Sequence, residues 1–298
     1  MIRRRIAYLG STLQALRAAA HDVSRMCQSV LRSELDRLKE QSQFRDPRHL
    51  VPYGSKVYSQ CDEDGMIAEI FRRIGTTNKC FVEFGIGNGL ENNTLALLFD
   101  NWHGLWIEAS EQSVQAIDAA FANVIRAGRL KVIRSFITKD NVDGLIADNI
   151  EQREVDLLSV DLDGNDYHVL SAITSISPRV VVIEYNAKFP PPLVFCMDYD
   201  EAHVWSGSDC FGASLSFLEM DLRNKGYSLV GCNLSGVNAF FVRSDLVVDS
   251  FLGPFTAENH YQPARYHLVD VASGHPASYD TLEKSLRNST AHPSSLHS

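Results

Sequence analysis

Paired cysteines are missing from this chain: the six present, Cys27, Cys61, Cys80, Cys196, Cys210 and Cys232, are scattered, and no two form a C-x-x-C pair. That excludes the thiolate zinc motifs and the disulfide framework of a small secreted domain, and it reads as reduced thiols in a cytoplasmic protein. Basic excess is missing too. Lys and Arg total 28 against 37 Asp and Glu, a formal charge of −9 that repels phosphate and argues against nucleic acid as a partner. No apolar run is long enough to suggest a transmembrane segment. The stretch after Arg3-Arg4-Arg5 is interrupted by Ser11, Thr12 and Gln14 and ended by Arg17, which does not fit a secretory signal.

What is there is an ordinary globular composition, 45% hydrophobic and 22% charged over 298 residues, enough for one large core. The charge is uneven: residues 1–50 carry ten basic and five acidic side chains, a net +5, so the other 248 carry −14. Leu9, Leu13, Leu16, Ala20, Val23, Cys27 and Val30 alternate spacings of four and three, a heptad stripe on one long helix. Packing on the following domain, a dimer through the helix, or contact with anionic lipid are its three readings. Pro47 and Pro52 break the helix into a linker. The expected organisation is therefore residues 1–50 as helix and linker, 51–252 as the main domain, and 253–298 as an irregular extension, disordered from about 285.

From Tyr58 onward short apolar segments alternate with amphipathic helices. Strands are expected at 80–84, 104–108, 130–137, 155–161 and 180–185, and helices at 64–74, 94–100, 113–127, 142–150 and 167–173, which makes a parallel α/β sheet. A helix through Leu215, Leu218 and Leu222 then leads to strands 227–232 and 238–243. Only Asn233–Val237 joins them, so they must form an antiparallel hairpin. Five parallel strands closed by a C-terminal hairpin is the Rossmann-like arrangement of class I methyltransferases.

The strongest chemical signal is Phe81-Val82-Glu83-Phe84-Gly85-Ile86-Gly87-Asn88-Gly89, an apolar strand running into three alternating glycines. Such glycines let backbone N–H groups approach a ligand. A dinucleotide fingerprint would need glycine at Leu90, which weakens a nicotinamide dehydrogenase. Glu83, two residues before Gly85, instead matches proteins that bind S-adenosylmethionine, and Glu108 stands where a carboxylate would accept ribose hydroxyls. Glu83, Gly85, Gly87, Gly89, Glu108, Ser135 and Phe136 are the cofactor-binding candidates; Asn92 and Asn93 read as helix caps.

A second constellation joins Asp161 and Asp163, after the fourth strand, to Glu184 and Asn186, after the fifth. Residues i and i+2 on a strand share a face, so the four could converge on a hard cation, Mg²⁺ or Mn²⁺. The alternative is a turn in which Asn165 or Asp166 caps the next helix. Asp161 and His168 are the catalytic candidates, and His203 and Trp205 are candidates for lining an acceptor pocket.

The stretch Tyr58–Leu246 resembles the FkbM-like class I methyltransferases, particularly the bacterial branch found with polysaccharide biosynthesis genes. The matching segments are Tyr58-Ser59-Gln60, Glu63-Asp64-Gly65, Phe81–Gly85, Glu91–Thr94, Leu105–Glu108, Asp156–Asp161, Val182–Asn186 and Gly236–Phe241. One departure is Asp62, where the family usually has glycine. The resemblance implies a methyltransferase using S-adenosylmethionine, with a hydroxyl of a sugar or glycosylated metabolite as acceptor. A catalytically silent scaffold in a glycan-assembly complex is the rival, disfavoured by carboxylates that a scaffold would not need.

Overall fold

The computed structural model describes residues 2–247, 249–269 and 277–291. Its strands are β1 (Cys80–Phe84), β2 (His103–Glu108), β3 (Leu130–Arg134), β4 (Glu154–Val160), β5 (Ser177–Glu184), β6 (Tyr227–Cys232) and β7 (Asn238–Arg243). They form one sheet in the order β3-β2-β1-β4-β5-β7-β6. The first five run parallel, and β7 enters antiparallel between β5 and β6. This is the class I methyltransferase architecture expected from the hairpin.

The helices are α1 (Ile2–Lys39), α2 (Glu63–Ile74), α3 (Leu95–Leu98), α4 (Glu111–Ala120), α5 (Ala122–Arg126), α6 (Val142–Ala147), α7 (Asp166–Ala172), α8 (Leu215–Asn224), α9 (Ala257–His260) and α10 (Tyr279–Ala291). Local chemistry sets several of these ends. Ser110 and Ser214 cap α4 and α8 by accepting from Ser113 N–H and Phe217 N–H, while Gly75 ends α2 at φ 65°. The single helix expected at 113–127 is broken, because Phe121 points into the core between α4 and α5.

Buried strands alternate their side chains between two cores. Cys80, Val82 and Phe84 of β1 join one, with Leu158, Val181 and Phe241. Phe81 joins the other, with Trp106, Leu157 and Phe240.

Two terminal expectations change. The segment after 252 is not irregular throughout: α10 packs on α4 and α5, burying Leu282 and Leu286, and Asn123 Nδ2 donates to Glu283 at 2.9 Å. The disorder expected from 285 therefore does not hold through Ala291, and 292–298 lie outside the described residues. At the other end, α1 meets the domain through Leu35 and Leu38, against Phe44, Val51, Leu234 and Leu268. Leu16, Val23 and Val30 of the heptad stripe stand 60–67% exposed, so these stripe positions do not pack on the domain. Among the described residues, no helix is long and apolar enough to cross a membrane.

Candidate functional site

The strand order reverses between β1 and β4, and the loops after those two strands part there to leave a crevice. Two adjoining hollows of about 280 and 430 Å³ share Gln60, Gly85, Gly87 and Asp161, and so make one cleft along the carboxyl edge. Gly85 lies at φ +70°, and a Cβ there would fall 1.7 Å from the Asp161 carbonyl oxygen. Only glycine permits that crossing of the β1 and β4 ends.

Glu108 lines the larger hollow from the tip of β2. One carboxylate oxygen accepts from Gly87 N–H at 2.9 Å and the other from Ser110 N–H at 2.8 Å. Each oxygen keeps a further lone pair for a ligand hydroxyl. Ser135 and the exposed Phe136 line the same hollow, so five of the seven cofactor candidates, Gly85, Gly87, Glu108, Ser135 and Phe136, meet on it. Gly89 does not line either hollow; it is buried at φ +74° against Trp106 and Ile117, closing the turn.

Glu83 borders the smaller hollow but is spent on holding the loop. It accepts from Asn92 Nδ2 at 3.0 Å, Asn93 N–H at 2.8 Å, Thr94 N–H at 3.2 Å and the Thr94 hydroxyl. Asn92 and Asn93 are thus partners of Glu83 and not the helix caps expected. Burial pushes the Glu83 carboxyl up to about 7, although these donors pull the other way. Tyr279 of α10 donates to the Asn88 carbonyl at 2.6 Å, so the C-terminal helix also braces the glycine loop.

The acidic group differs from the expected tetrad. Asp161, Asp166 and Glu184 each offer an oxygen within 4.8 Å of the others. Asp163 is exposed at φ 53° and lies outside this trio. Asn186 is fully buried: its amide donates to the Asp209 and Phe211 carbonyls at 2.7 and 2.9 Å, and its oxygen accepts from Lys188 N–H. It is a clamp for the loop ahead of α8, with its hydrogens and its oxygen engaged inside the chain. Neither Asn165 nor Asp166 caps α7 through its side chain; Asp166 instead ties the preceding turn, accepting from Leu162 N–H at 2.7 Å and Gly164 N–H at 2.9 Å, and joins the acidic group as well.

Burial, then repulsion from Asp166 and Asp163, raises Asp161 well above the usual carboxylate range. Burial and then Asp161 do the same to Glu184, and burial lifts Asp166 to about 6 despite its backbone donors. Carboxylates so raised hold their protons more tightly than free ones, and a bound cation would relieve the same repulsion. Hard oxygen donors at this spacing fit Mg²⁺ or Mn²⁺. Asp161 is the member that lines both hollows.

His168 is not in the cleft. It sits on α7, where Nε2–H donates to the Met197 carbonyl at 2.7 Å, and this removes it from the expected catalytic role. His203 does line the larger hollow, donating to the Asp163 carbonyl at 3.1 Å, whereas Trp205 is half-exposed and donates to Ser208. Sequence reasoning missed Gln60 and Asn238 as wall residues. Their signal was in Ser59-Gln60 and Glu63-Asp64. Asp64 accepts from the N–H groups of Val57, Tyr58 and Ser59, while Glu63 accepts from Asn233 and Asn238, so that segment becomes a strap carrying Gln60 to the cleft.

No protein-family model and no curated protein matches the chain. Solved structures do. One is assigned as a caffeoyl-CoA O-methyltransferase from Staphylococcus aureus, with 13% identity over 60% of this chain and 81% of that one, TM-score 0.42. Another is magnesium protoporphyrin IX methyltransferase from Synechocystis PCC 6803 with bound SAM, with 11% identity over 73% and 97%, TM-score 0.39. A third is the glycopeptide N-methyltransferase MtfA complexed with sinefungin, with 14% identity over 61% and 87%, TM-score 0.37. The fold assignment rests on strand order and direction.

Proposed function

We propose that this protein is a methyltransferase that binds S-adenosylmethionine in the cleft between β1 and β4 and methylates a hydroxyl. The observation that carries the reading is Glu108 at the tip of β2, bonded to Gly87 of the glycine loop on the wall of that cleft, in a sheet closed by an antiparallel β7. A carboxylate so placed accepts ribose hydroxyls, and the exposed Phe136 beside it offers a face for a planar base. Gly85 and Gly87 let the backbone approach the amino-acid end of the ligand.

When bound, the cofactor supplies an electrophilic methyl group. The chain's own residues must hold the acceptor in line with it and take the hydroxyl proton. Asp161 is the base: its raised affinity for a proton suits it to accept one from a weakly acidic hydroxyl near neutral pH. Glu184 and Asp166 positions share that proton, or share a divalent cation if one binds. A carboxylate base of this kind supports a hydroxyl as the target. A sugar or glycosylated metabolite as acceptor, with membership of the FkbM-like, polysaccharide-associated branch, is supported by the resemblance of Tyr58–Leu246 described above. Mass spectrometry of the ligand retained by freshly purified protein tests the reading. Recovery of S-adenosylmethionine or S-adenosylhomocysteine is expected, and recovery of a nicotinamide cofactor would overturn it.

A further inference from the structure

A second pocket, of about 190 Å³, lies where α1 crosses the strap before α2. Asp62 forms part of its wall, and its carboxylate is anomalous: the side chain is 5% exposed, and neither oxygen has a hydrogen-bond partner. It occupies the N-cap position of α2 without capping it. The surroundings are built to admit it. Gly54 leaves the space that Asp62 fills, since a Cβ there would fall 2.4 Å from Asp62 Oδ2, and Lys39 of α1 donates to the Gly54 carbonyl. A buried carboxylate without a donor is costly, and natural interiors rarely keep one unless something else supplies the donor.

The same walls hold Lys39 and Lys56. Lys56 donates to the Gln60 carbonyl at 2.8 Å and lies 3.9 Å from Glu91, yet an ammonium has three hydrogens. Charge arithmetic narrows the ligand. Basic lining residues are Arg32, Lys39 and Lys56, and acidic ones are Asp36 and Asp62. A simple amine would add a cation to a pocket already rich in them. A simple carboxylate would face an acid that itself lacks a hydrogen-bond donor. A molecule bearing both groups satisfies both walls, and the volume suits one of roughly amino-acid size.

We infer that this pocket is a second ligand site, for a small zwitterion of the amino-acid class, with its ammonium on Asp62 and its carboxylate on Lys39 and Lys56. The strap joins this site to the cleft, since Gln60 and Glu91, the two partners of Lys56, both line the smaller hollow. A ligand that draws Lys56 away from them would therefore be felt at the cleft. Asp62 stands where the resembling family usually has glycine, so the site belongs to this chain and not to the fold.

The test is thermal melting of the full chain with single protein amino acids, using acetate and methylammonium as half-ligand controls. At about a hundred times the dissociation constant, at least one amino acid should raise Tm by roughly 4 °C, and neither half-ligand should. Asp62→Asn should abolish the shift. Asp62→Gly should abolish it as well, and guards against an amide that simply fills the pocket. The shift given by S-adenosylhomocysteine should persist in both variants, because the cleft is untouched; its absence from the wild type would count against the cleft reading and not against this site. No shift with any amino acid, an equal shift with a half-ligand, or a shift surviving both substitutions would overturn the inference.

Discussion

One strand carries two opposite electrostatic solutions. At the start of β4, Asp156 is fully buried and fully paired: Arg179 Nη1 lies 2.6 Å away, and the N–H groups of Thr77, Asn78 and Lys79 all donate to it. Arg179 in turn donates to the carbonyls of Ile74 and Gly75. Burial alone would raise the Asp156 carboxyl, but these donors outweigh it and hold the group below its usual value. Just past the other end, Asp161 is crowded by acids with no cation beside it among the described residues, and it is raised. The amino end of the sheet is satisfied and serves stability. The carboxyl end is left unsatisfied, and that is where a ligand, proton or ion has something to do.

The comparison can be broken most sharply by crossed substitutions. Asp161→Asn should lower turnover by about 10²–10⁴-fold without lowering the melting temperature, since a general base is removed from a site that repels itself. Asp156→Asn should do the reverse, costing about 3–5 kcal/mol because Arg179 is stranded without its counter-charge. Urea unfolding and turnover on both variants check this; an Asp161→Asn protein with full activity would remove that residue from the chemistry.

Chelation comes next. If a divalent cation relieves the acidic trio, EDTA abolishes activity and Mg²⁺ or Mn²⁺ restores it, while S-adenosylhomocysteine still binds through Glu108 and the glycine loop. Full activity in EDTA would leave shared protons as the relief.

Melting against pH gives a smaller effect. Glu83 and Asp62, each raised to about 7, and Asp166, raised to about 6, bind more protons folded than unfolded, so they favour the folded state at low pH and lose that contribution as pH rises through those values. Asp156, held low, and Asp143, held at about 2, act oppositely, and their contribution is lost as pH falls below the usual carboxylate range. Tm should therefore peak near pH 4, fall from there to about pH 7 and level off above it, a fall that Asp161→Asn should shrink.

The smallest expected effect concerns the projecting helix. Deleting residues 1–45 should leave cleft binding unchanged. Light scattering of the full chain should show a dimer that the deletion removes, if the heptad stripe is its seam; a monomer at high concentration ends that idea.

The parallel order was legible because a buried strand has few ways to be written. Cys80–Phe84, Tyr227–Cys232 and Asn238–Arg243 lie where the apolar runs and short hairpin put them. Gly85, Gly87, Glu108 and Asp161 were legible because each sits at a strand tip, whose position follows from the strand. What failed depended on contacts distant in sequence. Asn186 reads as a metal ligand, but its side chain is buried, with its hydrogens on the Asp209 and Phe211 carbonyls and its oxygen on Lys188 N–H. His168 reads as a base until Met197 takes its N–H. The helix Tyr279–Ala291 is mostly polar, and only Leu282 and Leu286 reveal that it covers α4 and α5. Gln60 entered the cleft through a strap folded by Glu63 and Asp64, a construction visible in the motif only once its hydrogen bonds are known.

The central claim is that the cleft at the tips of β1, β2 and β4 holds an adenosyl cofactor by Glu108. Thermal melting with S-adenosylhomocysteine and with NADH, on the wild type and on Glu108→Ala, addresses it directly. The account predicts stabilisation of the wild type by S-adenosylhomocysteine alone, of about 2.7 kcal/mol at a hundred times the dissociation constant, most of it lost in Glu108→Ala. Stabilisation by NADH, or an S-adenosylhomocysteine shift undiminished in Glu108→Ala, would contradict it.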